Sequence, residues 1–355
     1  MKFKNMTHRV KTNICFALLF LAASFISSCQ KDNSPAPDAN LAANVTNANL
    51  TPLATTTSKY KLTAPLYYIN KSNFTINGDS INGGNSIGIN LLGCTNVHIT
   101  KCKIMNSTNR GISIYGCTNV LVDSCFVSNV VQGIYVHSST QVRIQSNQLL
   151  NMKAGGFIQF DDVTGSYNRI SFNKCEDVLK AGTNPNPAGG DGINLYKSKG
   201  LPNDPIYVIG NYIRGGGTNT GPLGMSGIVA GDGGIGQYQD IENNILVNPG
   251  YAGIQHISGS NITIKNNKIF SSNVPWSGVG LCTANYSNLK VSGNVISNNQ
   301  INWIAGYLNM ARTRNVLYKP NVTSVLNPVP TGWSTNVINA PAVTASILPA
   351  VMIKP

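Results

Sequence analysis

The sequence is poor in charge: only 11% of its 355 residues are Asp, Glu, Lys or Arg, and just 13 of them are acidic. That scarcity excludes coiled coils and long solvated helices, which are built from Glu, Lys, Leu and Ala. An apolar share of 42% excludes an intrinsically disordered chain. Beyond the first 28 residues no apolar run is long enough to cross a membrane as a helix. The 8 cysteines include no Cys-x-x-Cys, and no paired His accompanies them, so a zinc site is not expected. The length allows a sizeable core, and folding therefore requires neither disulfide nor metal.

What the sequence has in quantity is Gly, 35 in all, and a repeat that uses it. From residue 74 a template returns: two apolar residues one position apart, then Asn or Cys three positions on, then another apolar residue. It starts at Phe74, Val97, Val120, Val142, Ile170, Ile206, Gln239, Ile262 and Leu289. Its polar rung is read at Asp79, Cys102, Cys125, Asn147, Cys175, Asn211, Asn244, Asn267 and Asn294. A Gly followed by alternating apolar residues comes next, as in Gly111-Ile112 and Gly133-Ile134. The clearest pair is GCTNVHITKCKI at 93–104 against GCTNVLVDSCFV at 116–127, 23 residues apart. Short period-2 strands broken by Gly and Asn cannot be helical, and units that bury only one side must stack into a solenoid.

This pattern resembles the right-handed parallel β-helix family, the pectin-lyase-like group. The resemblance implies an all-β, single-stranded right-handed parallel β-helix of about nine coils over residues 61–318, with the Asn column as an internal ladder. Residues 29–60 read as a flexible linker, and 319–355, with Pro320, Pro328, Pro330, Pro341 and Pro349 among its residues, as an extended tail or cap. Residues 1–28 read as a signal peptide with a basic start and an apolar stretch. Phe25-Ile26-Ser27-Ser28-Cys29 resembles the bacterial lipoprotein signal, which implies lipidation at Cys29 and an outer membrane lipoprotein of a Gram-negative bacterium, periplasmic or surface-exposed. Export also argues against nucleic acid as a partner, since the basic residues are scattered singly; a monomer is expected. Cys94 and Cys117, like Cys102 and Cys125, share a repeat phase, and buried thiols are favoured over strained disulfides.

Two features place the chemistry. The spacing stretches for the coils starting at Val142, Ile170 and Ile206, so long loops cluster between residues 161 and 240. Of the 13 acidic residues, nine fall in 161–242, giving that window −3 against +12 for the rest of the mature chain. Loops on a rigid solenoid are where such a fold would carry a site. Phasing on Ile112, Ile134, Ile158, Ile193 and Ile228 gives an outward row Tyr115, His137, Asp161, Tyr196, Gly231, and a neighbouring row Ser113, Tyr135, Gln159, Asn194, Val229. His98 and His256 are expected to be structural, the latter turned inward.

For many members of the family, the resemblance implies a polysaccharide lyase that β-eliminates an acidic, uronic-acid polysaccharide. That reaction needs the uronate carboxylate neutralised, a base for the C5 proton and a proton for the leaving oxygen. His137 or Lys197 is expected as base and Tyr196 as proton donor. Tyr135, Gln159, Asn194, Lys199 and Arg214 are expected to hold the sugar, and Asp161, Asp162, Asp191 and Asp232 a Ca2+ ion. Against this stand readings that each residue also allows: Asp161-Asp162 and Asp191 as turn devices, and Tyr135 and Tyr196 as stacking platforms. The alternatives are a glycoside hydrolase using paired carboxylates, a C5-epimerase, and a non-catalytic glycan-binding or adhesive solenoid. Of the polygalacturonase motifs only an Asp-Asp is found; Gly-His-Gly and Arg-Ile-Lys are missing.

Overall fold

The structure is a computed structural model that describes residues 60–153, 155–176, 190–215, 226–249, 252–271, 279–283 and 292–303, with a few positions between 331 and 338. The signal, Cys29 and nearly all of the linker and tail therefore lie outside the described residues, as do the loop stretches 177–189 and 216–225. The described strands form three sheets of eleven, nine and nine strands. Each sheet takes every third strand in chain order, apart from the last, and the pairings are parallel. That is a right-handed parallel β-helix.

One coil runs Arg110–Tyr115, Thr118–Asp123, Phe126–Ser128, and the next Gln132–His137, Thr140–Gln145, Gln148–Leu150. The corners between these strands are single residues in the left-handed region. In the first coil they are Gly116, Ser124 and Asn129, with φ of 62°, 52° and 54°. An L side chain there costs roughly 1 kcal/mol, least for Asn, and Gly escapes it. The abundance of Asn and Gly is thus a backbone requirement of a chain that turns three times per coil. Gly111 serves a second need, close approach: a Cβ on it would lie 2.8 Å from the Gly133 carbonyl oxygen and 2.5 Å from Val127.

Inward residues of all three sheets make one continuous core; Ile112, Ile114, Val120, Val122 and Val127 are wholly buried. A polar ladder runs through it. The Asn147 amide N–H donates to Asn173 Oδ1 at 3.0 Å, Asn173 to Asn211 at 3.0 Å, Asn211 to Asn244 at 2.9 Å, Asn244 to Asn267 and Asn267 to Asn299 at 3.0 Å. Two rungs differ from the sequence reading. Asn173, not Cys175, follows Asn147, because Ile144 pairs with Ile170 and the rung lies three residues beyond each. Cys175 instead pairs with Leu149 and Ile213 as a core residue. Likewise Asn299, not Asn294, follows Asn267, while Asn294 Oδ1 accepts from Ile262 N–H at 3.0 Å in a different corner.

Cys102 and Cys125 head the Asn ladder, the Cys125 N–H donating to Asn147 Oδ1 at 3.0 Å. Cys94 and Cys117 head a second one that continues through Ser139. These four cysteines and Cys175 are buried and none of them forms a disulfide, and burial pushes the Cys125 thiol well above its ordinary range. At the C-terminal end Val337–Ile338 adds a strand beside Gln300–Trp303.

Candidate functional site

The candidate site lies on the outward face of one nine-stranded sheet, across Arg110–Tyr115, Gln132–His137, Ile158–Asp161, Ile193–Tyr196 and Ile228–Asp232. Alternation points Ile134 and Val136 into the core, so Tyr135 and His137 must point out. The pairing stacks Tyr115, His137, Asp161 and Tyr196 in one row, and Ser113, Tyr135, Gln159 and Asn194 in the next. The row then departs from the simple phase. A bulge between Asn194 and Tyr196 sets Asp232 opposite Tyr196, where the sequence phase puts Gly231. The extra residue is absorbed at Gly231 (φ 70°), and a carboxylate enters the row.

The rows meet in a tight cluster. The Tyr135 hydroxyl donates to Asp161 Oδ2 at 2.6 Å, and His137 Nδ1 lies 3.3 Å from the same oxygen. His137 and Asp161 keep 24% and 18% of their side-chain surface exposed, enough for contact with a ligand. With Asp161 as acceptor, Nδ1 carries the proton and the second ring nitrogen of His137 is left as a base. Burial first, and then the bond to Asp161, raises the Tyr135 phenol far above its ordinary range, so it stays protonated. The half-exposed Tyr115 ring lies 4.5 Å from the His137 ring and fixes its far side.

Arg110 and Gln132 complete the cluster, and the sequence reading missed both. The Arg110 guanidinium lies 3.7 Å from the centre of the Tyr135 ring. Its Nε donates to Gln132 Oε1 at 3.1 Å, and Gln132 Nε2 donates to Gln159 Oε1 at 2.8 Å. Strict alternation would turn residues two positions before each phasing Ile inward with it; the structure breaks the alternation at the intervening Gly, whose Cβ position at Gly111 faces Val127, and so brings Arg110 and Gln132 to the outward face. Gly155 gives Gln132 its room, since a Cβ on it would lie 2.5 Å from Gln132 Cβ.

Two coils further on, the Asn194 side-chain amide donates to Asp191 Oδ2 at 2.8 Å and to Asp232 Oδ2 at 2.9 Å. Asp191 also accepts from Ser226 N–H at 3.0 Å. Its carboxyl is pushed up from 3.8 to about 6, chiefly by burial, with the Asp232 charge adding to the rise.

The remaining expected residues lie elsewhere. Asp162 is a corner residue (φ 55°) that accepts from Ser138 at 3.3 Å. Lys197 is the next such corner (φ 52°), its ammonium 5.0 Å from the centre of the Tyr196 ring. Lys199 continues into a connection that bridges Thr164 and Gln237. Arg214 stands on the eleven-stranded sheet, a different face, paired with the buried Glu176 at 3.3 Å. His98 pairs with Asp123 at 2.9 Å on the third sheet, and His256 is inward and buried.

The four aspartates do not fit a calcium cage. Asp161 is committed to Tyr135 and His137, Asp162 turns away at a corner, and an N–H donor occupies the point between Asp191 and Asp232. Among the described residues no three His, Cys, Asp or Glu side chains converge on a position for a metal ion.

Comparison with known proteins agrees with the coil geometry. The family model for the right-handed beta helix region matches residues 54–175 and 191–324. The chain belongs to the right-handed β-helix family. No curated protein matches it. Among solved structures it is similar to DFA-IIIase from Arthrobacter chlorophenolicus A6, with a TM-score of 0.43 and 13% identity over 76% of this chain and 59% of that one. It is also similar to alginate lyase from Paenibacillus sp. str. FPU-7, with a TM-score of 0.43 and 14% identity over 67% and 88% of the two chains. A tailspike protein of E. coli bacteriophage HK620, bound to a pentasaccharide, gives a TM-score of 0.32 and 13% identity over 68% and 53%. The β-helix thus spans 59% of the length of the DFA-IIIase, and likeness at these values concerns the fold alone.

Proposed function

We propose that this β-helix is a polysaccharide lyase acting on a uronic-acid polymer, exported and held at the outer membrane through Cys29. The observation that carries the reading is the His137, Asp161 and Tyr135 cluster: a histidine held by a carboxylate on a solvent-facing sheet. In the reaction the free ring nitrogen of His137 takes the C5 proton. The electron pair of that bond forms the C4–C5 double bond, the C4–O bond breaks, and the leaving oxygen takes a proton. Tyr196, next in the row after Asp161, supplies it, and Lys197 beside its ring stabilises the phenolate that remains. Tyr135 is a positioning residue: its hydroxyl fixes Asp161, which fixes His137. His137 and Tyr196 stand on strands two coils apart, about 10 Å at sheet spacing, and the C5 proton and the C4 oxygen lie on adjacent carbons of one ring, so the step requires both side chains to converge on that one position above Asp161.

One observation favours a second reading, a glycoside hydrolase. Asp191 and Asp232 share the Asn194 amide, and a carboxyl raised to about 6 beside a second carboxylate is the division of roles that a hydrolase uses. Incubation with a panel of acidic and neutral polysaccharides decides the matter. Ultraviolet absorbance from unsaturated uronate ends supports the lyase, and reducing ends without absorbance support the hydrolase. Binding without either product leaves the solenoid as a glycan-binding protein.

A further inference from the structure

The Arg110 side chain is held by two neighbours and, among the described residues, has no acid partner. Its guanidinium lies flat on the Tyr135 ring, its Nε is fixed by Gln132, and Gln132 is fixed in turn by Gln159. Among the described residues no carboxylate lies within ion-pairing distance of it, although Arg169, Arg214, Lys174 and Lys265 each have such a partner. Fixing an arginine costs side-chain entropy that an ion pair ordinarily offsets. Here the fork is pre-organised and its charge unspent, the arrangement of an anion receptor.

Its place narrows the anion. Arg110 lies 3.7 Å over the Tyr135 ring, and that ring is stacked on the His137 ring with centroids 6.1 Å apart, so a sugar ring spanning Tyr135 would place one substituent at the free edge of Arg110 and the carbon that bears it near His137. In a uronate that carbon bears the carboxylate. Phosphate or sulfate esters sit on hydroxyl oxygens, one bond further from the reacting carbon. We propose that Arg110 is the specificity-determining residue of this site, binding the free carboxylate of the uronate in the reactive position and rejecting esterified or neutral sugars. Gln132 and Gln159 hold it in place without touching the carboxylate.

The inference rests on the lyase reading for its rate but not for its binding, and the test separates the two. Full-length protein and Arg110→Met are compared on a free polyuronate and on its methyl ester, with uronate oligosaccharide binding measured by calorimetry and folding checked by circular dichroism. The expected result is a loss of ~100-fold in kcat/KM on the free polymer. Activity on the ester should hardly change, so the preference for free carboxylate collapses. Retention of that preference overturns the assignment. If the wild-type protein makes no unsaturated product, the lyase reading fails alone. Uronate binding lost in Arg110→Met then upholds the receptor, and equal binding in both overturns it. Should the methionine variant not fold, Arg110→Lys, which keeps stem and charge but loses the fork, is expected to show a smaller loss of the same preference, and an unchanged preference again overturns the assignment.

Discussion

Tyr135 donates its hydroxyl to Asp161 across one coil, at 2.6 Å, and burial keeps the phenol protonated so that the donation runs one way. This bond makes Asp161 an orienting group rather than a metal ligand. Its consequences can be measured.

Asp161→Asn should leave the sheet intact but reverse the hydrogen-bond polarity at His137 Nδ1, favouring the wrong tautomer. The expected cost is on the order of 10³ to 10⁴ in kcat with KM little changed. Tyr135→Phe removes only the positioning bond, with a loss of roughly 10-fold and a shift in the pH profile of kcat/KM. Steady-state kinetics checks both. A loss in Tyr135→Phe as large as that in Asp161→Asn would give the tyrosine a direct chemical part.

The fold was legible because its signal is local and repeated: corner residues with positive φ force Asn and Gly into a period that no core packing hides. The rows containing His137, Asp161 and Tyr196 were legible for the same reason. Legibility failed where the period stretches. Between Asn147 and Asn173 the connection lengthens, and Cys175 in the expected place looked like a rung, though the pairing of Ile144 with Ile170 makes it core. The bulge opposite Tyr196 depends on how the strand ending in Asp232 meets its neighbour, a tertiary fact. Arg110 was missed for a different reason: alternation from Ile112 would turn it into the core, and only the break at Gly111, itself facing Val127, brings it to the outward face.

The ladder correction predicts unequal costs for two neighbouring residues. Asn173→Ala leaves the backbone N–H of Asn147 and the carbonyl of Ile144 without their bonds inside the core, at 3.0 and 2.9 Å in the native state. Each buried orphan costs about 1–3 kcal/mol, so roughly 3 kcal/mol or more is expected. Cys175→Ala trims a core residue and should cost about 1 kcal/mol. Urea unfolding of both variants measures the difference, and equal costs would return Cys175 to the ladder.

Two buried groups should pull the acid stability of the protein in opposite directions. Burial raises Asp191 from 3.8 to about 6, so the folded state binds its proton more tightly than the unfolded chain. Its contribution is full below the unfolded value and is lost as pH rises through about 6. Burial lowers His256 from 6.5 to about 4, so the unfolded chain binds that proton more tightly. Its contribution is full above 6.5 and is lost as pH falls through about 4. Each is worth on the order of 3 kcal/mol, and between about 4 and 6 the two slopes nearly cancel. The wild-type melting temperature should therefore vary less with pH in that range than either variant does. Asp191→Asn keeps one acceptor oxygen where Asp191 uses two, one for Asn194 and one for Ser226, so it starts from a lower stability, and it should lose further stability on acidification because only the His256 slope remains. His256→Gln, which can keep a bond to the Thr283 hydroxyl, should gain stability as pH falls through about 6. Melting curves of the three proteins across this range test the pair together, and parallel curves would show that neither carboxyl nor imidazole is shifted as described.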